Sequence, residues 1–312
     1  MRAAVKVLTA VIVLAELCAC AAGAPAQGDA AIPALRVRTG AQAHKSAGVL
    51  YVDDGGNQAV EIFKNGTWKE LGSITNGIGD IDRNWVDAND NFYFAQFSPD
   101  EVVEYAPGAS SPSFTYDSQM QLPVDVTTDR AGDVYEADEL TSSVNEYAQQ
   151  SNTVLASCGN SLELFLSVAV DGNGDVFVGE LDNEPYGKGH IIEYGGGLSG
   201  CHATELGVTL NFPGGLAFDK KGDIVICDLD TNSVDIVPPP YKTISGTLGS
   251  GYNMPFSVRI SRKNDQAYVV NESPPRDVFV LRYPSGSLIK KLGSRNGISG
   301  SLGAVDSDNF NP

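Results

Sequence analysis

Short apolar runs hinged on polar turns make up most of the chain. The stretch "SVAVDGNGDVFVGE" (167–180) shows the unit: Val168-Ala169-Val170, an Asp-Gly-Asn-Gly-Asp turn, then Val176-Phe177-Val178. The triplets are continuous rather than alternating, the pattern of inner strands covered on both faces, and the Asp- and Gly-rich turn suits a tight hairpin. The same pattern returns in "RNWVDANDNFYFAQ" (83–96), "DVTTDRAGDVYEAD" (125–138), "GLAFDKKGDIVICD" (215–228) and "SVRISRKNDQAYVVN" (257–271).

The residue that opens the turn is Asp87, Asp129, Asp171, Asp219 and then Ser261, at steps of 42, 42, 48 and 42 residues. Each copy continues into a third run ("EVVEYAPG", "SVNEYAQQ", "IIEYGGG", "SVDIVPPP", "FVLRYPSG") and a more variable fourth. Four short strands in about 42 residues is the length of one propeller blade. Near the end, "GAVDSDNFNP" (303–312) supplies a sixth anchor, read as Asp306, one strand into a blade. "GVLYVDDGGNQAVEIFKNG" (48–66) begins at the second strand of the same pattern, so Val49–Asp54 matches Asp223–Asp228. The pattern therefore predicts an all-β, six-bladed β-propeller of four-stranded antiparallel blades over 43–312. Its first and last strands share one blade, which removes open sheet edges.

Composition agrees with a folded, turn-rich chain: 42% hydrophobic and 19% charged residues, with 34 Gly and 16 Pro in 312 positions. The net charge of -18 repels phosphate backbones and anionic headgroups, so nucleic acid is not an expected partner, and it is the surface of a soluble monomer. Residues 1–20 carry basic residues, an apolar stretch interrupted by Glu16, and small residues, the order of a secretory signal. Leu17-Cys18-Ala19-Cys20 resembles the lipobox of bacterial lipoproteins, which implies lipidation of Cys20 and a cell-envelope location. Cleavage after Ala24-Pro25-Ala26 would instead release the product. Residues 21–42 read as an Ala/Gly/Pro-rich tether, and no other apolar stretch is long enough to span a bilayer. An exported chain leaves Cys158, Cys201 and Cys227 in an oxidising compartment. Cys158 and Cys201 could pair, and Cys227, in "DIVICD", reads as a buried small hydrophobe.

"PGGLAFDKKGDIVICDLDTNSVDIV" (213–237) resembles the NHL-type propeller repeat and the blades of gluconolactonase-like (SMP-30-like) and strictosidine-synthase-like propellers, and the resemblance covers nearly all of 43–312. It is specific for fold. For a gluconolactonase-like enzyme it implies Asn and Asp residues just before the inner triplets, converging with a Glu on a divalent cation such as calcium. Those positions here are Asp82-Arg83, Val124-Asp125, Leu166-Ser167, Gly214-Gly215, Phe256-Ser257 and Ser301-Leu302. Only Asp82 stands where that family puts a ligand, Asp125 is one residue away, and Val124, Leu166 and Phe256 make the mouth partly apolar. The residues themselves imply no cofactor.

A second set ends each second strand: Asp54, Gln96, Asp138, Glu180, Asp228 and Asn271. Such a ring could hold a polar ligand, but short Asp and Asn side chains also accept hydrogen bonds from turn backbone. Irregular loops are the other candidates: "ELDNEPYGKGH" (180–190), with Asp182, Glu184, Tyr186, Lys188 and His190, and "NESPPRD" (271–277), with Glu272 and Arg276. Nucleophilic catalysis has little support: there is no Gly-x-Ser-x-Gly elbow, and "DGNGD" (171–175) lacks the downstream Glu of a calcium loop. The expected protein is an exported scaffold that binds a small molecule or an envelope or extracellular protein at a channel mouth formed by Asp82, Arg83, Asp125, Ser167, Glu180, Asp228, Ser257 and Asn271. The alternative is a divalent-metal-dependent hydrolase or lyase with Asp82 and Asp125 as ligands.

Overall fold

The computed structural model describes residues 48–159, 163–182 and 187–307. The expected signal and tether, Cys20, and Glu184 and Tyr186 of the irregular loop lie outside them.

The first blade holds β1 (Val49–Asp54), β2 (Ala59–Lys64) and β3 (Lys69–Ile74). The second is β4 (Ile81–Val86), β5 (Phe92–Phe97), β6 (Asp100–Tyr105) and β7 (Phe114–Tyr116); the third is β8 (Pro123–Thr128), β9 (Val134–Asp138), β10 (Ser143–Tyr147) and β11 (Val154–Gly159). The fourth is β12 (Glu163–Val170), β13 (Val176–Asp182), β14 (Gly189–Tyr194) and β15 (Ala203–Glu205). The fifth is β16 (Pro213–Phe218), β17 (Ile224–Asp228), β18 (Ser233–Val237) and β19 (Gly246–Thr247); the sixth is β20 (Pro255–Ile260), β21 (Gln266–Asn271), β22 (Val278–Arg282) and β23 (Leu288–Leu292). Last, β24 (Ser301–Ser307) returns to the first blade and pairs antiparallel with β1, giving the order β24-β1-β2-β3. Six four-stranded antiparallel sheets thus form a closed propeller whose inner strands, β4, β8, β12, β16, β20 and β24, pack around the axis.

The repeated turn has a physical cause. One carboxylate oxygen each of Asp87, Asp129, Asp171 and Asp219 accepts backbone N–H bonds from the residues two and four positions on, at 2.7–3.0 Å. Ser261 serves the equivalent turn with its hydroxyl, accepting from the amides four and five positions on, those of Asp265 and Gln266. The sixth anchor differs from the sequence reading. Asp54 pairs with Ser301 as Asp138 pairs with Pro123 and Asp228 with Pro213, so the position of Asp129 and Asp219 falls on Ser307, one residue past Asp306. The carboxylate of Asp306 sits one residue short of the turn position, which a serine fills as it does at Ser261. Ser307 donates its hydroxyl proton to Asp90 at 3.1 Å.

The core lies between blades. Leu50, Val52 and Phe63 of the first blade pack with Tyr268, Val270, Val278 and Val280 of the sixth, and Tyr51 stacks on Phe92 of the second with ring centroids 4.4 Å apart. Cys158 on β11 and Cys201, between β14 and β15, are disulfide-bonded, so the third blade is tied covalently to the fourth. Cys227 is a fully buried free thiol.

Candidate functional site

Each inner strand breaks its pairing at one height. The ladder skips between Ile81 and Asn84, Pro123 and Asp125, Phe165 and Ser167, Pro213 and Leu216, and Pro255 and Ser257, and on β24 between Ser301 and Ala304. A bulge re-aims side chains. Here the skips fall at Asp82-Arg83, Val124-Asp125, Leu166-Ser167, Gly214-Gly215 and Phe256-Ser257, the pairs singled out from sequence, and at Leu302-Gly303 in the closing strand.

Arg83 uses this geometry to cross the channel. Its Nη1 donates to the carbonyls of Leu166 at 2.7 Å and Val124 at 3.2 Å, while Nε and Nη2 both donate to that of Phe256 at 3.3 Å. Its guanidinium lies 3.8 Å from the centre of the Phe256 ring. One side chain of the second blade is thereby fastened to the third, fourth and sixth. A second arginine closes the channel beyond it. Arg259 donates to the carbonyls of Asn84 at 2.9 Å and Leu216 at 3.2 Å and forms a buried ion pair with Asp125. Asp125 also accepts the amides of Val126 and Val168, so its carboxylate is engaged in the channel wall.

Above Arg83 is a small mouth of about 30 Å³ lined by Asp82, Glu139 and Glu272 and by Val124, Leu166, Phe212, Leu229 and Phe256. Glu139 and Glu272 are held there by their backbones. Each follows the end of a second strand and extends the ladder by one bond, Glu139 donating its N–H to the carbonyl of Leu122 at 3.0 Å and Glu272 to that of Met254 at 2.8 Å. Leu229 makes the equivalent bond to Phe212 in the fifth blade. The three acids are 1%, 2% and 4% exposed, and Asp82 Oδ1, Glu139 Oε1 and Glu272 Oε2 have no hydrogen-bond partner among the described residues. The nearest cation to Asp82 is Arg83, at 3.8 Å.

Burial pushes the Asp82 carboxyl up to about 8; Arg83 opposes the shift, and Asp125, Glu139 and Glu272 add to it. Burial likewise pushes Glu139 up to about 7 against the pull of Arg83, and Glu272 to about 7 against Arg83 and Arg276. Three carboxyls share the Arg83 guanidinium, whose donors point at backbone carbonyls, and Glu272 alone has a second cation, Arg276, acting on it.

No known sequence family matches the chain, and no curated protein does. Solved structures do. A chain of the crystal structure of a nidogen/laminin complex is similar at 14% identity and a TM-score of 0.67, covering 84% of this chain and 99% of that one. A protein of unknown function from Bacteroides caccae is similar at 11% identity and a TM-score of 0.64, with the same coverage. A functionally unknown protein from Desulfotomaculum acetoxidans DSM 771 has 18% identity and a TM-score of 0.53, covering 78% of this chain and 80% of that one. At these identities the likeness is one of fold.

The sequence-derived candidates separate in space. Asp82 and Arg83 line the mouth. Asp125 lies deeper, against Arg259. Ser167 and Ser257 are fully buried on the inner strands, and their hydroxyls have no partner among the described residues. Asp228 accepts the amides of Asn211, Phe212 and Thr231, and Asn271 accepts that of Asn253 and donates to Asp277. Asp54 and Asp138 receive loop amides in the same way, so these residues fasten the loop that leads into the inner strand. Glu180 stands apart, pushed up to about 8 by burial and by Glu163, Glu205 and Asp182. Beside it His190 sits 3.0 Å from Glu205 and 3.4 Å from Asp182. Glu139 was missed from sequence, and Glu272 was noticed only as part of an irregular loop. The informative position is one residue beyond the strand-end set: Gly55, Phe97, Glu139, Leu181, Leu229 and Glu272, where two of six copies carry an acid.

Proposed function

We propose that the protein is an exported binding scaffold whose ligand docks in the mouth formed by Asp82, Arg83, Glu139 and Glu272, with the six blades holding those side chains rigid. The observation that carries this reading is the set of orphaned carboxylate oxygens. Buried charge without full compensation costs stability, and apolar replacements of similar size often restore it. Strongly perturbed acids in a cleft are therefore candidates for function. The fold suits the role, since a rigid scaffold presenting loops at one mouth is a common basis for binding, and one structural neighbour belongs to a complex of two proteins. The Cys158–Cys201 disulfide supports export, because such bonds persist in oxidising compartments. Lipidation of Cys20 would keep the protein at the cell envelope, and cleavage after Ala26 would release it.

The metal-dependent alternative fits the residues poorly. Hard cations need several converging oxygens, yet among the described residues no three His, Cys, Asp or Glu side chains are gathered so as to hold a metal. Val124, Leu166 and Phe256 occupy positions where the gluconolactonase-like pattern would place polar ligands. A thermal-shift screen of cationic, neutral and anionic small molecules and of calcium tests the proposal. Compounds that stabilise the chain are expected to lose that effect in the Glu139→Gln/Glu272→Gln double variant. If every hit stabilises the variant equally, the mouth is not the site.

A further inference from the structure

The chemistry of the mouth narrows what it can hold. Anions are disfavoured, because three carboxyls face the space while four of the five N–H donors of Arg83 already run to backbone carbonyls and Arg276 donates to the carbonyl of Glu272. Size is the second constraint. A cavity of about 30 Å³ suits a small head group. Third, among the described residues no three His, Cys, Asp or Glu side chains are gathered so as to hold a bare divalent ion. Calcium holds oxygens at about 2.3–2.6 Å, whereas an ammonium reaches its acceptors at about 2.7–2.9 Å and directs three protons to separate ones. Three orphaned oxygens, on Asp82, Glu139 and Glu272, await them. The remaining walls, Val124, Leu166, Phe212, Leu229 and Phe256, are apolar, as the methylene stem of such a group requires.

We infer that the channel mouth accepts a single primary ammonium group on an unbranched aliphatic stem, either the side chain of a lysine in a partner polypeptide or a small free amine. The inference rests on the mouth being the binding site and adds the class of ligand. Its test is a titration of the full chain, followed through the methyl resonances of Val124, Leu166 and Leu229, with four probes: n-butylammonium, Nα-acetyl-lysine methylamide, butyrate and calcium chloride. Saturable shifts at those methyls are expected with the two ammonium probes. Affinity should fall at least tenfold in Glu139→Gln/Glu272→Gln, whose isosteric changes keep the backbone bonds of both residues. Tighter binding of the blocked lysine points to a polypeptide source, and tighter butylammonium binding to a free amine.

If butyrate or calcium moves the same methyls more tightly than either ammonium probe, the ligand class is overturned while the mouth stands as the site. If no probe moves them, the ligand class and the site fail together. The wild-type shifts locate binding without reference to the variant, so a variant that misfolds leaves the test intact.

Discussion

Arg83 and the acids around it pull stability in opposite directions. The guanidinium makes four bonds to carbonyls of three other blades and is the only cation within ion-pairing distance of Asp82 among the described residues. Arg83→Met keeps most of the stem but removes all of these, and breaking a buried pair from one side costs about 3–5 kcal/mol. Chemical denaturation of the variant should show a loss of that order, and pairing it with Asp82→Asn should recover part of it. Asp82, Glu139 and Glu272 have the reverse effect. Their folded pKa values, about 8, 7 and 7, lie above the ordinary carboxyl range, so in the window from that range up to about 8 the folded state holds more protons than the unfolded one. Stability from this source is full below the ordinary range and is lost as pH rises through the folded values. Thermal unfolding is therefore expected at a higher temperature at pH 5.5 than at pH 8, and Glu139→Gln/Glu272→Gln should flatten the difference mainly by raising the value at pH 8.

At the scale of the element, what could be read from sequence was what each blade repeats locally. The apolar triplets and the turn-opening aspartates are visible because each turn solves the same hydrogen-bonding problem within five residues. Asp82-Arg83 stood out because it breaks that repetition. Glu139 did not, because it adjoins Asp138, a carboxylate of the same type, and a strand sends neighbouring side chains to opposite sides. Only the ladder bond from Glu139 to Leu122, made to a segment 17 residues away, decides which of the two faces the mouth. Arg259 was invisible for the same reason, since its partner Asp125 lies 134 residues away. The bulge in the closing strand also has its own requirement. A Cβ at Gly303 would stand 2.4 Å from Asp53 Oδ2 and 3.0 Å from Asn84 Cγ, so Gly303→Ala should destabilise by about 1–3 kcal/mol through overpacking, measurable by denaturant unfolding.

For the whole molecule, the ring closes through the hydrogen-bonded pairing of β1 and β24, and among the described residues one disulfide ties the third blade to the fourth. The Cys158–Cys201 bond spans 43 residues, for which the chain-entropy account gives about 4 kcal/mol. Cys158→Ser/Cys201→Ser is expected to lower the denaturation midpoint accordingly while leaving the mouth's ligand affinity unchanged, since neither cysteine lines the mouth. The ring also distributes chemistry unevenly. Asp82, Glu139 and Glu272 come from the second, third and sixth blades, the last two of which also give Val124 and Phe256, whereas the fourth and fifth blades line the mouth with apolar residues alone, Leu166, Phe212 and Leu229 among them. A pseudo-sixfold scaffold thus acquires a compass direction: a bound chain should leave the mouth over the fourth and fifth blades, two neighbouring positions of the six. Nuclear Overhauser contacts from the stem of a bound amine are accordingly expected to Leu166 and Leu229, with none to the Gly55 side of the rim.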